Sequence, residues 1–202
     1  MTRIHPNSSA SNAKHKPISN DKREIATVLT VWKKSLLFNC KGYTVYDSKG
    51  DLHFRVDSYS SDGTSTEIIL MDHIGKPLVS FRRKRLCLGQ TWQIYNGEES
   101  KNPIFAVKKH LLGSNKILAH VSRYGRSEED VKWEYVVEGS YEGRCCGVYD
   151  RNKTRVAEIQ SKQSVGGVGF GNDVFRLIVN EAELDSTIAM SIVILLEQMY
   201  GS

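Results

Sequence analysis

Residues 188–196 (IAMSIVILL), close to the carboxyl end, hold a single polar side chain, Ser191. At 3.6 residues per turn the apolar positions 188, 189, 190, 192–196 and 199 cover every face of a helix. A helix that is apolar all round is buried in protein or in lipid. Crossing a bilayer takes about twenty apolar residues for a core of ~30 Å. Nine residues rise only ~13 Å, and Glu197 and Gln198 close the run without a basic flank. Asn180 with Glu183 three residues on reads as a capping pair, Asp185 adds negative charge to the first turn, and Gly201 stands where the helix stops. The helix therefore belongs inside protein, and the rest of the chain has to surround it.

What precedes it is built for that. Short alternating or β-branched runs, punctuated by Asp, Gly, Asn and Lys, predict strands at 26–32, 43–47, 52–57, 67–72, 78–83 and 91–95. Six more follow at 104–109, 117–122, 133–138, 144–149, 155–160 and 173–179, with no helix before residue 183. Residues 57–66 (DSYSSDGTST) read as a polar connector, and 110–115 and 123–132 as loops. Residues 1–24, rich in Ser, Asn and Lys, have almost nothing to bury and read as a disordered polar tail. The tail lacks the apolar core of a secretory signal, so residues 25–202 are expected to form one domain in an intracellular setting.

A repeat sits within the strands. VYDSKGDLHFRV, LMDHIGKPLVSF and VYDRNKTRVAEI place Asp47, Asp72 and Asp150 at a strand end, with Gly50, Gly75 and Lys153 three residues later. An Asp here hydrogen-bonds the turn backbone, and Gly tolerates the left-handed conformation that closes it. Three carboxylates also invite a metal or acid–base reading, but turn tips on a β-protein normally lie far apart. They are read as turn-formers.

The other candidate motifs fail on spacing or context. Cys40, Cys87, Cys145 and Cys146 show no metal-ligand spacing, and neighbouring Cys145 and Cys146 point to opposite faces of a strand. Gly166, Gly167, Gly169 and Gly171 suggest a phosphate loop, yet a strand-like segment follows where a helix is needed. His53, His73, His110 and His120 have no i,i+2 or i,i+4 partner. No catalytic residue, metal or cofactor is therefore assigned. The basic runs say more: Arg82, Arg83, Lys84 and Arg85 follow one strand, Lys108 and Lys109 close another, and the net charge is +5. Such runs suit a lipid headgroup site, a nuclear-localisation signal or a nucleic-acid contact. A strand running out into solvent is the plainer explanation, since Arg and Lys there also discourage edge-to-edge aggregation.

GYTVYDSKGDLHFRVDSY, IILMDHIGKPLVSFRRK and TWQIY, then WEYVVEGSYEGRCCGVYD and NDVFRLIVNEAELDSTIAMSIVILLEQM, together resemble the plant LURP-one-related proteins. The resemblance runs from about residue 26 to the end. It implies a tubby-like fold, mainly β: a closed antiparallel barrel of about twelve strands around a central hydrophobic C-terminal helix. The superfamily includes the phospholipid scramblases and the tubby proteins, which are regarded as membrane-tethered transcription regulators that hold phosphoinositide headgroups. The plant family is associated with defence against pathogens. It brings no established catalytic residues, and no tubby lipid site maps onto this chain position by position.

The leading expectation is a non-enzymatic module that binds an anionic phospholipid, such as a phosphoinositide, or a protein partner in plant defence signalling. Arg82, Arg83, Lys84, Arg85, Lys108 and Lys109 are its candidate lipid-binding residues. A small-ligand carrier or enzyme using a barrel-mouth pocket is the alternative, as is a nuclear regulator acting through residues 82–85. Nucleic acid ranks lowest, because no aromatic platform accompanies the basic runs. The oligomeric state stays open.

Overall fold

A computed structural model of the chain describes residues 26–36, 41–61, 65–84, 89–111, 116–124, 133–162 and 171–201. The tail, Cys40, Arg85, Cys87, the loop 125–132 and most of the Gly-rich segment lie outside these residues. The first half of the wall is β1 (Ala26–Trp32), β2 (Lys41–Tyr46), β3 (Leu52–Ser61), β4 (Ser65–Asp72), β5 (Pro77–Arg83) and β6 (Thr91–Asn96). The second half is β7 (Pro103–Lys109), β8 (Ile117–Arg123), β9 (Tyr135–Ser140), β10 (Cys145–Tyr149), β11 (Arg155–Ser161) and β12 (Val174–Asn180), before the helix α1 (Ser186–Tyr200).

Each strand pairs antiparallel with its neighbour in sequence, and β1 pairs with β12 from Ala26↔Asn180 to Trp32↔Val174, which closes the barrel. This is the tubby-like architecture the resemblance implied. Alternation places Leu29 and Val31 inside and leaves Val28 and Trp32 outside. The helix fills the interior: Ile192, Val193, Ile194, Leu195 and Leu196 are all 0 % exposed, on every face. Ser191, the one polar residue of the run, is satisfied within the helix, its Oγ donating to the Thr187 carbonyl at 2.7 Å. Among the described residues no helix is long and apolar enough to cross a membrane.

Two local readings change. The N-cap of α1 is Asp185, whose carboxylate accepts from the Thr187 N–H at 2.8 Å, while Asn180 and Glu183 form the turn before it. Asn180 remains paired in β12, so its backbone cannot open the helix. Residues 57–61 and 65–66 are not a connector but the ends of β3 and β4, paired as far as Ser61↔Ser65. Ladder hydrogen bonds join backbones, so polar side chains do not end a strand whose partner continues.

The Asp turns form as expected. Asp47, Asp72 and Asp150 each accept from the backbone N–H groups two and four residues on, at 2.7–3.0 Å. Gly50, Gly75 and Lys153 take the left-handed conformation, with φ 89°, 90° and 63°. All three turns sit at the barrel end where α1 begins, because every even-to-odd strand connection falls there. Lys153 is the strained member, since a Cβ disfavours positive φ by about 1–2 kcal/mol. Lys153→Gly is expected to raise stability by about 0.5–1 kcal/mol after the greater flexibility of the unfolded chain is counted. Paired denaturant titrations of wild type and variant measure it.

Candidate functional site at the basic end of the barrel

The opposite end receives the carboxyl terminus of α1 and the connections β1–β2, β3–β4, β5–β6, β7–β8, β9–β10 and β11–β12. Cations gather on it: Lys33 and Lys34 after β1, Lys84 after β5, Lys116 before β8 and Lys162 after β11. The acidic members of the same connections are few, Glu142 and Asp173 among the described residues. At the other end acids and bases interleave, as in Asp47, Lys49, Asp51, Asp72 and Lys76.

The sequence-predicted cations do not form one row. On β5 alternation sends Arg82 and Arg83 to opposite sides. Arg82 lies on the outer wall, 5.4 Å over the Tyr95 ring and 3.7 Å from Glu67. Arg83 and Lys84 are exposed at the rim, and Arg85 is outside the described residues. The Lys84 N–H bonds the Thr91 carbonyl, and Thr91 pairs with Lys108, so Lys84 and Lys108 face outward on one level, a single strand apart. Two strand spacings separate them, about 9.5 Å. Lys109 turns into the barrel mouth, where its Nζ donates to the Met199 carbonyl at 2.6 Å and lies 4.2 Å over the Tyr200 ring. A cation there answers the unpaired carbonyls and negative pole of a helix C-terminus.

Beneath the rim is a polar cluster that the sequence did not signal. The Glu197 carboxylate pairs with Lys33, accepts from the Tyr141 hydroxyl at 3.0 Å and stands 3.5 Å from Nη2 of Arg144. Arg144 is only 6 % exposed, its guanidinium lying over both Tyr141 and Phe175 at 4.3 and 4.4 Å. Burial alone would raise the Glu197 carboxyl; hydrogen bonds from Lys33 and Tyr141, with the charges of Lys33 and Arg144, outweigh it and hold the group below its ordinary value. Burial pushes the Tyr141 phenol up, so it stays a neutral donor. Next to Lys33, the Ser35 hydroxyl donates to the fully buried carboxylate of Asp57 at 2.8 Å, and Arg55 holds its other oxygen at 2.7 Å. These bonds pin the segment 33–36 to the wall of β3.

Two histidines that looked isolated in sequence also meet. Nε2 of His120 lies 3.2 Å from Nδ1 of His110, and Trp133 stacks on His120 with ring centroids 4.0 Å apart. Burial, then the neighbouring charges of His110 and Lys108, holds His120 below the usual imidazole range. Their meeting follows from the β7–β8 register, Lys108↔His120, which no i,i+4 rule detects. Cys145 is exposed and Cys146 buried, on opposite faces as expected, and burial pushes the Cys146 thiol up to about 12.

Comparison with known proteins matches residues 27–197 to the sequence model of the family described as LURP-one-related. Protein LURP-one-related 8 of Arabidopsis thaliana is 45 % identical over 207 residues, covering all of both chains. Protein LURP-one-related 5 of the same plant is 42 % identical over 180 residues, covering 86 % of this chain and 83 % of its own. A crystal structure of another Arabidopsis thaliana protein superposes with a TM-score of 0.61 at 19 % identity, over 86 % of this chain and 91 % of that one, a likeness of fold.

Proposed function

Since the chain belongs to the LURP-one-related family, we propose that it is a non-enzymatic tubby-like module whose basic barrel end binds an anionic phospholipid surface, such as a phosphoinositide-bearing membrane. The observation that carries this reading is the gathering of lysines on the one end that also receives the helix C-terminus. The contact set we propose is Arg83, Lys84 and Lys108, joined by Lys34 across the rim and by Arg85 beside Lys84. Arg82 and Lys109 are less suited by position, the one further down the outer wall at the level of Gln93 and the other turned into the barrel mouth onto the end of the helix. A barrel-mouth carrier or enzyme has less support, because α1 fills the interior, Tyr141 and Arg144 pack against its last turns, and its own Tyr200 hydroxyl donates to the Leu118 carbonyl. A nuclear or nucleic-acid role for residues 82–85 is weakened by the division of Arg82 and Arg83 between two sides of β5. The plant-defence setting comes from the family resemblance.

Each Lys or Arg close to an anionic leaflet contributes about 1 kcal/mol. Replacing Arg83, Lys84 and Lys108 together by Ala is therefore expected to lower the affinity for phosphoinositide-containing vesicles about 100-fold, read by co-sedimentation at low salt. Raising the salt weakens wild-type binding in the same direction. Wild-type protein that never pellets with these vesicles defeats the proposal.

A further inference from the structure

The same end of the barrel carries apolar side chains that folding leaves in water. Trp32, closing β1, is 40 % exposed; Leu36, four residues on, is 53 % exposed; and Leu111, just beyond β7, is 59 % exposed. Trp32 and Leu36 flank Lys33 and Lys34, and the Lys34 ammonium lies 5.0 Å over the Trp32 ring. Leu111 follows Lys108, Lys109 and His110 and sits against Gly89 of the β5–β6 connection. In the closed twelve-strand ring β1 and β7 are six strands apart, so these two apolar points stand on opposite sides of the same rim. Lysines lie beside both. Amphipathic aromatic rings and aliphatic side chains next to cations are what the boundary between headgroups and acyl chains accommodates.

We propose that the barrel meets an anionic bilayer end-on, with Trp32 and Leu36 on one side of the helix-C-terminal rim and Leu111 on the other seated at the headgroup–acyl boundary. This rests on the lipid reading above and adds to it a docking face and an orientation. Two points across the ring, with the charged rim between them, set the barrel axis close to the membrane normal. A single apolar point would leave the tilt free. The other end has a counterpart that tests the choice of face: Ile74 is 76 % exposed but stands in the turn closed by the Asp72 carboxylate.

The experiment uses the full chain with phosphatidylcholine vesicles that carry phosphatidylserine and a phosphoinositide. Vesicles of phosphatidylcholine alone and vesicles with brominated acyl chains serve alongside. Leu36→Asp and Leu111→Asp are each expected to weaken binding about tenfold, for loss of a half-buried leucine and the cost of a carboxylate near anionic lipid. Ile74→Asp leaves binding unchanged. Tryptophan emission shifts to the blue and is quenched by bromine on binding, and Trp32→Phe removes that quenching, since Trp92 lies inside the barrel and Trp133, just before β9 at the opposite end, stacks on His120. Thermal melts confirm that each variant folds, with Leu36→Ser and Leu111→Ser read if an Asp variant does not. Vesicle binding lost on removing Arg83, Lys84 and Lys108, but indifferent to Leu36, Leu111 and Trp32, overturns end-on seating and leaves the electrostatic reading standing. Tight binding to phosphatidylcholine alone, lost in the Leu variants, upholds the seating and defeats the anionic reading. Equal loss in Ile74→Asp, or a wild-type protein that binds no vesicle and uses this rim against a protein, overturns the proposal.

Discussion

A chain ending at Glu183 is expected to yield no folded barrel, only insoluble or unstructured protein. Met190, Ile192, Val193, Ile194, Leu195, Leu196 and Met199 are all buried in α1. Burying a side chain of this size stabilises by about 2 kcal/mol. These seven together give about 14 kcal/mol, as much as the whole net stability of a typical domain. The wall loses as well, because Leu29, Phe81, Ile94 and Phe175 face the helix side and would line an empty core. Soluble expression, circular dichroism and hydrogen exchange of the truncated chain measure the effect. A folded, monomeric product would show that the wall stands without its axle. A graded version is Leu195→Ala, fully buried in the wild type, with an expected loss of about 2–5 kcal/mol.

The second large effect is expected from Glu197→Ala. Removing the carboxylate leaves the Arg144 guanidinium, 6 % exposed, without its counter-charge. Breaking a buried ion pair from one side costs about 3–5 kcal/mol, because the remaining charge is stranded. Replacing Arg144 and Glu197 together by residues of similar volume should cost less than the two single changes summed, which a double-mutant cycle reads directly. The same carboxylate sets a pH dependence. Its folded-state value is depressed by Lys33, Tyr141 and Arg144 against the pull of burial. Its stabilisation is thus fully present above the ordinary glutamate value of about 4.3, and is lost as the pH falls through the lower folded-state value. Glu197→Ala should flatten the acid limb of the stability profile in that window. An unchanged acid limb would mean that other carboxylates govern acid unfolding.

Much of the fold could be read locally. The Asp turns with Gly50 and Gly75 rest on contacts within five residues, so their pattern identifies them. The strands follow from two-residue alternation, and β1 coincides with its expected range. Apolar side chains on every face exclude a surface site for the helix, and its length excludes a membrane span. The N-cap was misplaced because Asn180 and Asp185 are both good caps, and only the pairing of Asn180 within β12 excludes it. The ends of β3 and β4 were missed because their side chains are polar, while what holds them is backbone pairing across the hairpin.

The functional surface was legible only in part. Arg82, Arg83, Lys84, Lys108 and Lys109 are conspicuous in sequence, but adjacency says nothing about direction. Pleating separates Arg82 from Arg83, and the barrel mouth draws Lys109 to the last carbonyls of α1. Glu197 looks like the polar end of a greasy run, yet its partners Lys33, Tyr141 and Arg144 come from connections more than fifty residues away.

By itself, then, the sequence determined that a wall of about twelve strands would enclose one buried C-terminal helix, since periodicity, turn chemistry and apolar length act over a few residues at a time. Only the tertiary structure decided which residues share an end, a side or a level. Closing the ring carries the odd-to-even connections to the end where the helix stops, gathers their lysines there, and sets Trp32 and Leu111 six strands apart on one rim. That is a consequence of long-range register, and register is a property of paired strands, which no single strand contains.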